Sequence, residues 1–298
     1  MDPSRPVLVT GASGKTGLRV VASIAKRGGT VRAFVRRPEA SGPLKQAGVA
    51  EIAVGDLMDH DSLRLAMTGA GTVLHICPPM HPEEDAIART MIGLAGDLAV
   101  DRFVLYSVLH PLLADVPHHN RKLQAERALV DSGLNYTILQ PSRYMQHLTM
   151  IWKTVLATGV HSMPFDTRAR FSLVDLADLA EAVARIVIEP GHESATYQLA
   201  GPDALSQDDC AGILSMVLNR PIRAIAKPIE SFRRDAAAAG MPAERIEVMT
   251  RMNAHYDAHG LVGNSNVLRW LLGREPTRFA EFVRRELPLG SENLVQAE

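Results

Sequence analysis

Over its first 140 residues the chain alternates short apolar runs with longer segments whose apolar residues recur every three or four positions. The short runs lie at 7–10, 31–35, 51–54, 72–76, 102–106 and 136–139 and read as strands. The segments near 15–27, 40–47, 60–68, 83–99 and 119–131 read as helices. Continuous apolar runs mark strands buried on both faces. The rhythm therefore predicts an α/β fold: a Rossmann-like, doubly wound parallel sheet with helices on both sides. Beyond Pro141 helical patterns dominate, near 144–158, 175–188, 206–218, 228–239, 241–258 and 277–287. A seventh strand is expected at 195–199, and a short one outside the main sheet within 221–226. This divides the chain into a larger domain over 1–142 and a smaller, mostly helical substrate lobe over 143–298, with 171–200 returning to the larger domain.

The first strand runs into Gly11-Ala12-Ser13-Gly14-Lys15-Thr16-Gly17, and a helix follows with Leu18, Val21, Ala22 and Ala25 on one face. A strand, a glycine turn and a helix N-terminus together form an anion site, because backbone N–H groups converge there and the helix dipole favours negative charge. Gly11 permits the turn, Gly14 lets a pyrophosphate approach the backbone, and Gly17 lets the helix pack on the strand. Lys15 either adds charge to this pocket or is a surface lysine. Arg36 and Arg37 directly follow the second strand. A dinucleotide site selective for NAD places a carboxylate here, whereas a 2′-phosphate calls for a cation. The pair points to NADPH in preference to NADH; the alternative is two solvated loop arginines ahead of Pro38.

Composition narrows the class. The 298 residues, 46% hydrophobic, suffice for one large core or two smaller ones, and the formal net charge of -1 gives no electrostatic case for nucleic acid. Cys77 and Cys210 are the only cysteines, far apart and without metal-ligand spacing, which suits a reducing cytoplasm and argues against a disulfide scaffold. No apolar leader opens the chain and no run is long enough to span a bilayer, so neither export nor a membrane partner is expected. A homodimer is compatible with this composition.

Several stretches resemble the NmrA-like group of atypical short-chain dehydrogenases/reductases. They are the glycine segment from Val9 to Gly17, Phe34-Val35-Arg36-Arg37-Pro38, Val54-Gly55-Asp56-Leu57, Ser132-Gly133-Leu134-Asn135-Tyr136 with Gln140-Pro141, Val174-Asp175-Leu176-Ala177-Asp178, Leu199-Ala200-Gly201-Pro202, and Leu272-Gly273-Arg274-Glu275-Pro276. The resemblance implies NAD(P)(H) binding and a small substrate lobe. Some members of that group reduce quinones, imines or other unsaturated compounds, and others act as redox sensors without turnover.

Sites in open parallel sheets lie beyond the carboxyl ends of the strands. Asp56, beside Leu57, either caps the helix near Asp59 or, by the resemblance, accepts from the adenine amine. Cys77 and Pro78 by the same resemblance border ribose and nicotinamide; Cys77 reads as a small buried residue rather than a reactive thiol. Ser107 occupies the superfamily's carbonyl-binding serine position. The superfamily's tyrosine, four residues before Lys122, is replaced by His118. His118, Lys122 and Glu126 share one helical stripe. His118 is a candidate proton donor and Lys122 a candidate ribose ligand; alternatively Lys122 pairs with Glu126 while His118 caps the helix or faces solvent. Pro141 resembles part of the nicotinamide loop, with Gln140 where the commoner family form has Arg. Tyr144 is a second proton-donor candidate. His110, His118 and His119 lie close together, but nothing in their spacing makes a metal site. The expectation is an NADPH-dependent oxidoreductase acting on a small, planar, apolar and uncharged organic molecule such as a quinone, enone, imine or carbonyl compound. The alternative is a catalytically silent dinucleotide sensor.

Overall fold

The structure, a computed structural model, describes residues 5–287. In chain order the first half contains β1 (Val7–Val9), α1 (Lys15–Lys26), β2 (Val31–Val35), α2 (Ser41–Gln46), β3 (Glu51–Val54), α3 (His60–Met67), β4 (Thr72–His75), α4 (Glu84–Asp97), β5 (Arg102–Tyr106), α5 (Pro117–Val130) and β6 (Tyr136–Pro141). A 3₁₀ turn over Met145–Met150 leads to α6 (Trp152–Thr158), β7 (Val160–Met163) and β8 (Phe171–Ser172). The chain continues as α7 (Leu176–Ile188), β9 (Ala195–Leu199), β10 (Ala204–Leu205), α8 (Gln207–Leu218), β11 (Arg223–Ala226), α9 (Ile229–Ala238), α10 (Ala243–His259), α11 (Asn266–Leu272) and α12 (Phe279–Glu286). Two compact units result. The first runs through Pro141 and takes in Leu176–Leu199 and Trp270–Gly273; the second holds Ser142–Asp175, Ala200–Arg269 and the chain from Arg274.

The first unit is a seven-stranded parallel sheet in the order β3-β2-β1-β4-β5-β6-β9, a Rossmann-like α/β fold. All seven strands point the same way, so their carboxyl ends share one edge. Connectivity reverses between β1 and β4, the switch point where such sheets open a crevice. On one face Leu8, Leu63, Met67, Met91, Phe103 and Leu129 build the core. On the other, α1 packs on α7. The buried face of α1 is Gly17, Val20, Val21 and Ile24. It is therefore rotated from the expected Leu18–Ala25 stripe, because β-branched Val20 and Ile24 bury more area than Ala22 and Ala25.

Arg102, at the start of β5, is completely buried. It donates to the carbonyls of Ile186 at 2.5 Å and Glu189 at 3.2 Å, and to the Glu193 carboxylate at 2.6 Å. It thereby satisfies the last carbonyls of α7, which have no partner within the helix.

The second unit is built on two short pairings, β7 with β11 in parallel and β8 with β10 antiparallel. Gln207 fastens the link after β7, accepting from Met163 N at 2.9 Å and donating to Phe165 O at 2.6 Å. No described helix is long and apolar enough to cross a membrane.

Candidate functional site

The glycine loop joins β1 to α1. Gly11 has φ +62°, and a Cβ there would lie 2.5 Å from the Ile76 carbonyl oxygen at the end of β4. A Cβ on Gly17 would lie 2.1 Å from Gly11 O, so the tight turn excludes side chains at both positions. Gly14 differs: it is exposed, its φ is -75°, and an added Cβ would meet only Gly11 O at 3.3 Å. Gly14 is also the N-cap of α1, with no side chain capping the helix and no acidic residue in its first turn. Its first N–H groups thus lack a side-chain acceptor, and the space in front of Gly14 is open, which fits a pyrophosphate.

Exposed Arg36 and Arg37 leave β2 and, with Ser13, Glu39 and Ala40, line a groove of about 670 Å³. Neither arginine makes an ion pair among the described residues. The groove thus presents two guanidinium forks to an incoming anion, which fits a 2′-phosphate. Lys15 and Ser13 are exposed on the same loop, and Thr16 is half-buried in the first turn of α1. Asp56 does not cap α3: Asp59 is the N-cap, accepting from Asp61 N at 3.0 Å. Asp56 instead accepts from Met58 N at 2.9 Å in its own turn, and Leu57 packs against the core.

Past β4 and β5 the first unit holds a buried polar network that sequence reasoning recovered only in part. Lys122 Nζ lies 2.6 Å from Glu84 Oε1 and donates to the Tyr106 carbonyl at 2.7 Å. His118 Nδ1 lies 3.5 Å from Glu84 Oε2. The partner of Lys122 is therefore Glu84 on α4, not Glu126, and His118 is neither a cap nor solvent-facing: it turns to the same carboxylate. Burial penalises the Glu84 charge, but Lys122 foremost, with His118, holds the carboxyl down at about 2. His75, buried on β4 with Thr10 Oγ1 2.9 Å from its Nδ1, is pushed down to about 3 by burial and by the Lys122 charge.

Glu126 belongs to a second cluster. It accepts from the Ser107 hydroxyl and from Gln140 Nε2, which lies 3.0 Å from both carboxylate oxygens. Burial raises the Glu126 carboxyl above its ordinary range despite these hydrogen bonds. The one hydroxyl hydrogen of Ser107 is thus directed at Glu126. Cys77 is buried, and burial together with Glu84 pushes its thiol up to about 12. Pro78 is exposed after it, and Pro141 ends β6 in the core. His119 turns its Nδ1 to the His110 carbonyl at 2.9 Å. Among the described residues no group of three His, Cys, Asp or Glu side chains is placed to hold a metal.

Glu84 and His75 were missed from sequence. His75 left a signal, a polar residue in an otherwise apolar strand; Glu84 left none beyond its place near the start of a helix.

The second unit has a cavity of its own, lined by residues that include Arg143, Tyr144, His161, Phe165, Phe171 and Cys210. Tyr144 is half-buried there and stacks on His147 with ring centroids 5.5 Å apart. It therefore belongs to a different unit from Ser107, His118 and Lys122.

Residues 3–283 match the model of the NmrA-like family. The chain belongs to the NmrA-like family. An NAD(P)H azoreductase from Xenophilus azovorans is 28% identical over 279 residues, covering 93% of this chain and 96% of the relative. Quinone oxidoreductase 2 from Escherichia coli strain K12 is 26% identical over 280 residues, covering 93% and 97%. The solved structure of an NADPH-dependent quinone oxidoreductase from Escherichia coli, complexed with NADPH, superposes with a TM-score of 0.83 at 25% identity, covering 93% of this chain and 98% of that one. In this NmrA-like chain His118 and Lys122 both turn to the buried carboxylate of Glu84.

Proposed function

We propose that the protein is an NADPH-dependent reductase of small planar organic electrophiles such as quinones. The observation that carries this is the uncapped N-terminus of α1 behind Gly14, together with the two unpaired arginines along the groove at the end of β2. The similarity to an NAD(P)H azoreductase and a quinone oxidoreductase supports the reading. NADPH supplies a hydride when bound. The chain's part is to hold the pyrophosphate at Ser13–Thr16, the 2′-phosphate at Arg36 and Arg37, and the adenine beside Asp56 and Leu57. Cys77, Pro78 and Pro141 would border the remainder of the dinucleotide. Lys122 is steadied by Glu84 and the Tyr106 carbonyl, and it provides the ribose contact. His118, backed by Glu84, supplies the proton, with Tyr144 as the alternative donor. Such a site works largely by positioning, which suits an acceptor that is reduced without strong acid help.

Calorimetric titration tests the cofactor assignment. NADPH should bind on the order of tenfold to a hundredfold more tightly than NADH, as expected for charge-assisted hydrogen bonds. Arg36→Ala with Arg37→Ala should remove the difference. Equal affinities in the unmodified protein refute the assignment. Oxidation of NADPH across quinones, enones, imines and aldehydes then tests turnover.

One observation favours a silent dinucleotide sensor instead: the Ser107 hydroxyl and the Lys122 ammonium are both tied to carboxylates. Micromolar NADPH binding without oxidation by any of these acceptors selects that reading.

A further inference from the structure

In the walls of the second unit's cavity, Arg143 has no ion pair and no oxygen acceptor for its side chain, and His161 Nδ1 has no hydrogen-bond partner, among the described residues. Arg143 sits two residues past β6, its backbone fixed because Arg143 O accepts from Val174 N at 2.9 Å. Its guanidinium carbon lies 5.0 Å from the ring centre of Phe165 and 5.3 Å from that of Phe171. A guanidinium carries five N–H donors. The polar contact of this one is Nη2 with the thioether of Met163 at 4.0 Å, and it has no ion pair among the described residues. The two rings offer the cation their aromatic faces, and the thioether sulfur, a weak acceptor, is the side chain's one hydrogen-bond acceptor among the described residues.

His161, on β7, is the second group. It is buried and its Nδ1 has no hydrogen-bond partner. Burial foremost, and then the Arg143 charge, push its pKa down to about 4. Other polar residues of the wall are already engaged: Gln207 holds Met163 and Phe165, and Ser206 caps α8 together with Asp209. Cys210 offers only a thiol that burial pushes up to about 12.

The rest of the lining is apolar and aromatic, including Leu148, Ile151, Leu173 and Phe279. The space between these walls is narrow, a cavity of about 40 Å³. That is a slot for something thin. A slot of flat apolar walls with an unpaired cation inside calls for a flat apolar body bearing one anion.

We propose that this cavity binds planar organic acids, with Arg143 gripping a carboxylate or sulfonate and His161 donating a further hydrogen bond. The proposal rests on the reductase reading in taking these acids as the substrate class, and it replaces the expectation of an uncharged substrate. Arg143 lies in this wall with no ion pair among the described residues, which favours an anionic ligand over an uncharged one.

The test compares 2-naphthoate with its methyl ester, the same ring with and without the charge. By calorimetry the acid should bind at least about tenfold more tightly than the ester, the effect of one charge-assisted pair. Arg143→Met should abolish the preference while NADPH binding, which depends on the other unit, is unchanged. Should Arg143→Met fail to fold, His161→Leu carries the test, with the same preference reduced. Equal affinities for acid and ester, no naphthoate binding at millimolar concentration, or a preference that survives Arg143→Met overturns the proposal. A second arm follows NADPH oxidation with a sulfonated naphthoquinone and its unsulfonated parent, where the sulfonate should have the higher kcat/KM. If naphthoate binds with the stated preference but neither quinone is reduced, the acid site stands and the reductase reading falls.

Discussion

Glu84→Gln should destabilise the protein by about 3 kcal/mol at neutral pH. Burial alone would raise the Glu84 carboxyl, yet Lys122 foremost, with His118, brings it from 4.5 to about 2. At roughly 1.4 kcal/mol per pH unit, that fall is about 3 kcal/mol in favour of the folded chain. Both partners are buried, so solvent screens the pair little. Gln keeps the shape of Glu84 but leaves the Lys122 ammonium 2.6 Å from a neutral amide. Breaking a buried pair from one side costs about 3–5 kcal/mol, which agrees. The folded pKa is depressed, so the contribution is complete above the ordinary carboxyl pKa and is lost as pH falls through about 2. Urea unfolding of the wild type, Glu84→Gln, Lys122→Met and the double variant measures this. The double variant should be more stable than the sum of the single losses predicts by at least ~1.5 kcal/mol, because it leaves no orphaned charge. Wild-type stability should also drop between pH 4.5 and pH 2 by an amount missing from Glu84→Gln. A Glu84→Gln loss below ~1 kcal/mol, or strict additivity in the cycle, refutes the reasoning.

Gly14→Val should fold normally and lose NADPH binding in calorimetry, because its side chain enters open space in front of the α1 N-terminus; retained binding would show that the pyrophosphate lies elsewhere. Arg102→Met should cost about 2–4 kcal/mol in urea unfolding, since one buried and two part-buried hydrogen bonds, to Ile186 O, Glu189 O and Glu193, are lost, and a loss below ~1 kcal/mol would refute that role. With an acceptor found by screening, Lys122→Ala should weaken NADPH binding and turnover together. His118→Phe should lower kcat and flatten the limb where activity declines as pH rises; an unchanged pH profile moves the proton to Tyr144 or water.

The strands most legible in the sequence were those of the parallel sheet. β2, β3, β5 and β9 have the bounds expected from the sequence, although β3 and β9 are edge strands with partly exposed and polar positions. The second unit was harder. β7, Val-His-Ser-Met, has no alternation to detect, and β8 and β10 contain two residues each. The helix expected over 144–158 divides into a 3₁₀ turn and α6, because Met145 N bonds to Val174 O and draws the first turn into a bridge between Tyr144 and Val174. That pairing joins residues about thirty positions apart, and no local pattern reports it. The same distinction governs the site. The glycine loop and Arg36-Arg37 are local motifs and could be read directly, whereas Glu84 meets Lys122 only after β4, α4 and α5 have packed.

The stripe of His118, Lys122 and Glu126 shows where helical spacing stops being informative. One face was read correctly, for all three side chains turn inward, but each carboxylate partner is decided by a neighbouring element. Lys122 lies within reach of α4 and takes Glu84; Glu126, one turn further, meets the end of β6 and takes Gln140. Gln140 stands where the resembled family more often has Arg, and an Arg there would have fixed the adjacent carboxylate as an anion. An amide offers a donor without a charge. Burial raises the Glu126 carboxyl, and the hydrogen bonds from Ser107 and Gln140 and the Lys122 charge offset that only in part. The charge at the two ends of the stripe is thereby set in opposite senses: Glu84 is held ionised by an ammonium, and Glu126 is eased toward its protonated form among neutral donors. Substituting Arg for Gln140 should reverse the second of these while leaving the Glu84–Lys122 pair intact. Infrared titration in the carboxyl region would check it: the acid band that Glu126→Gln removes should disappear at lower pH in Gln140→Arg than in the wild type. If that band titrates at the same pH in both proteins, Gln140 does not set the charge of Glu126.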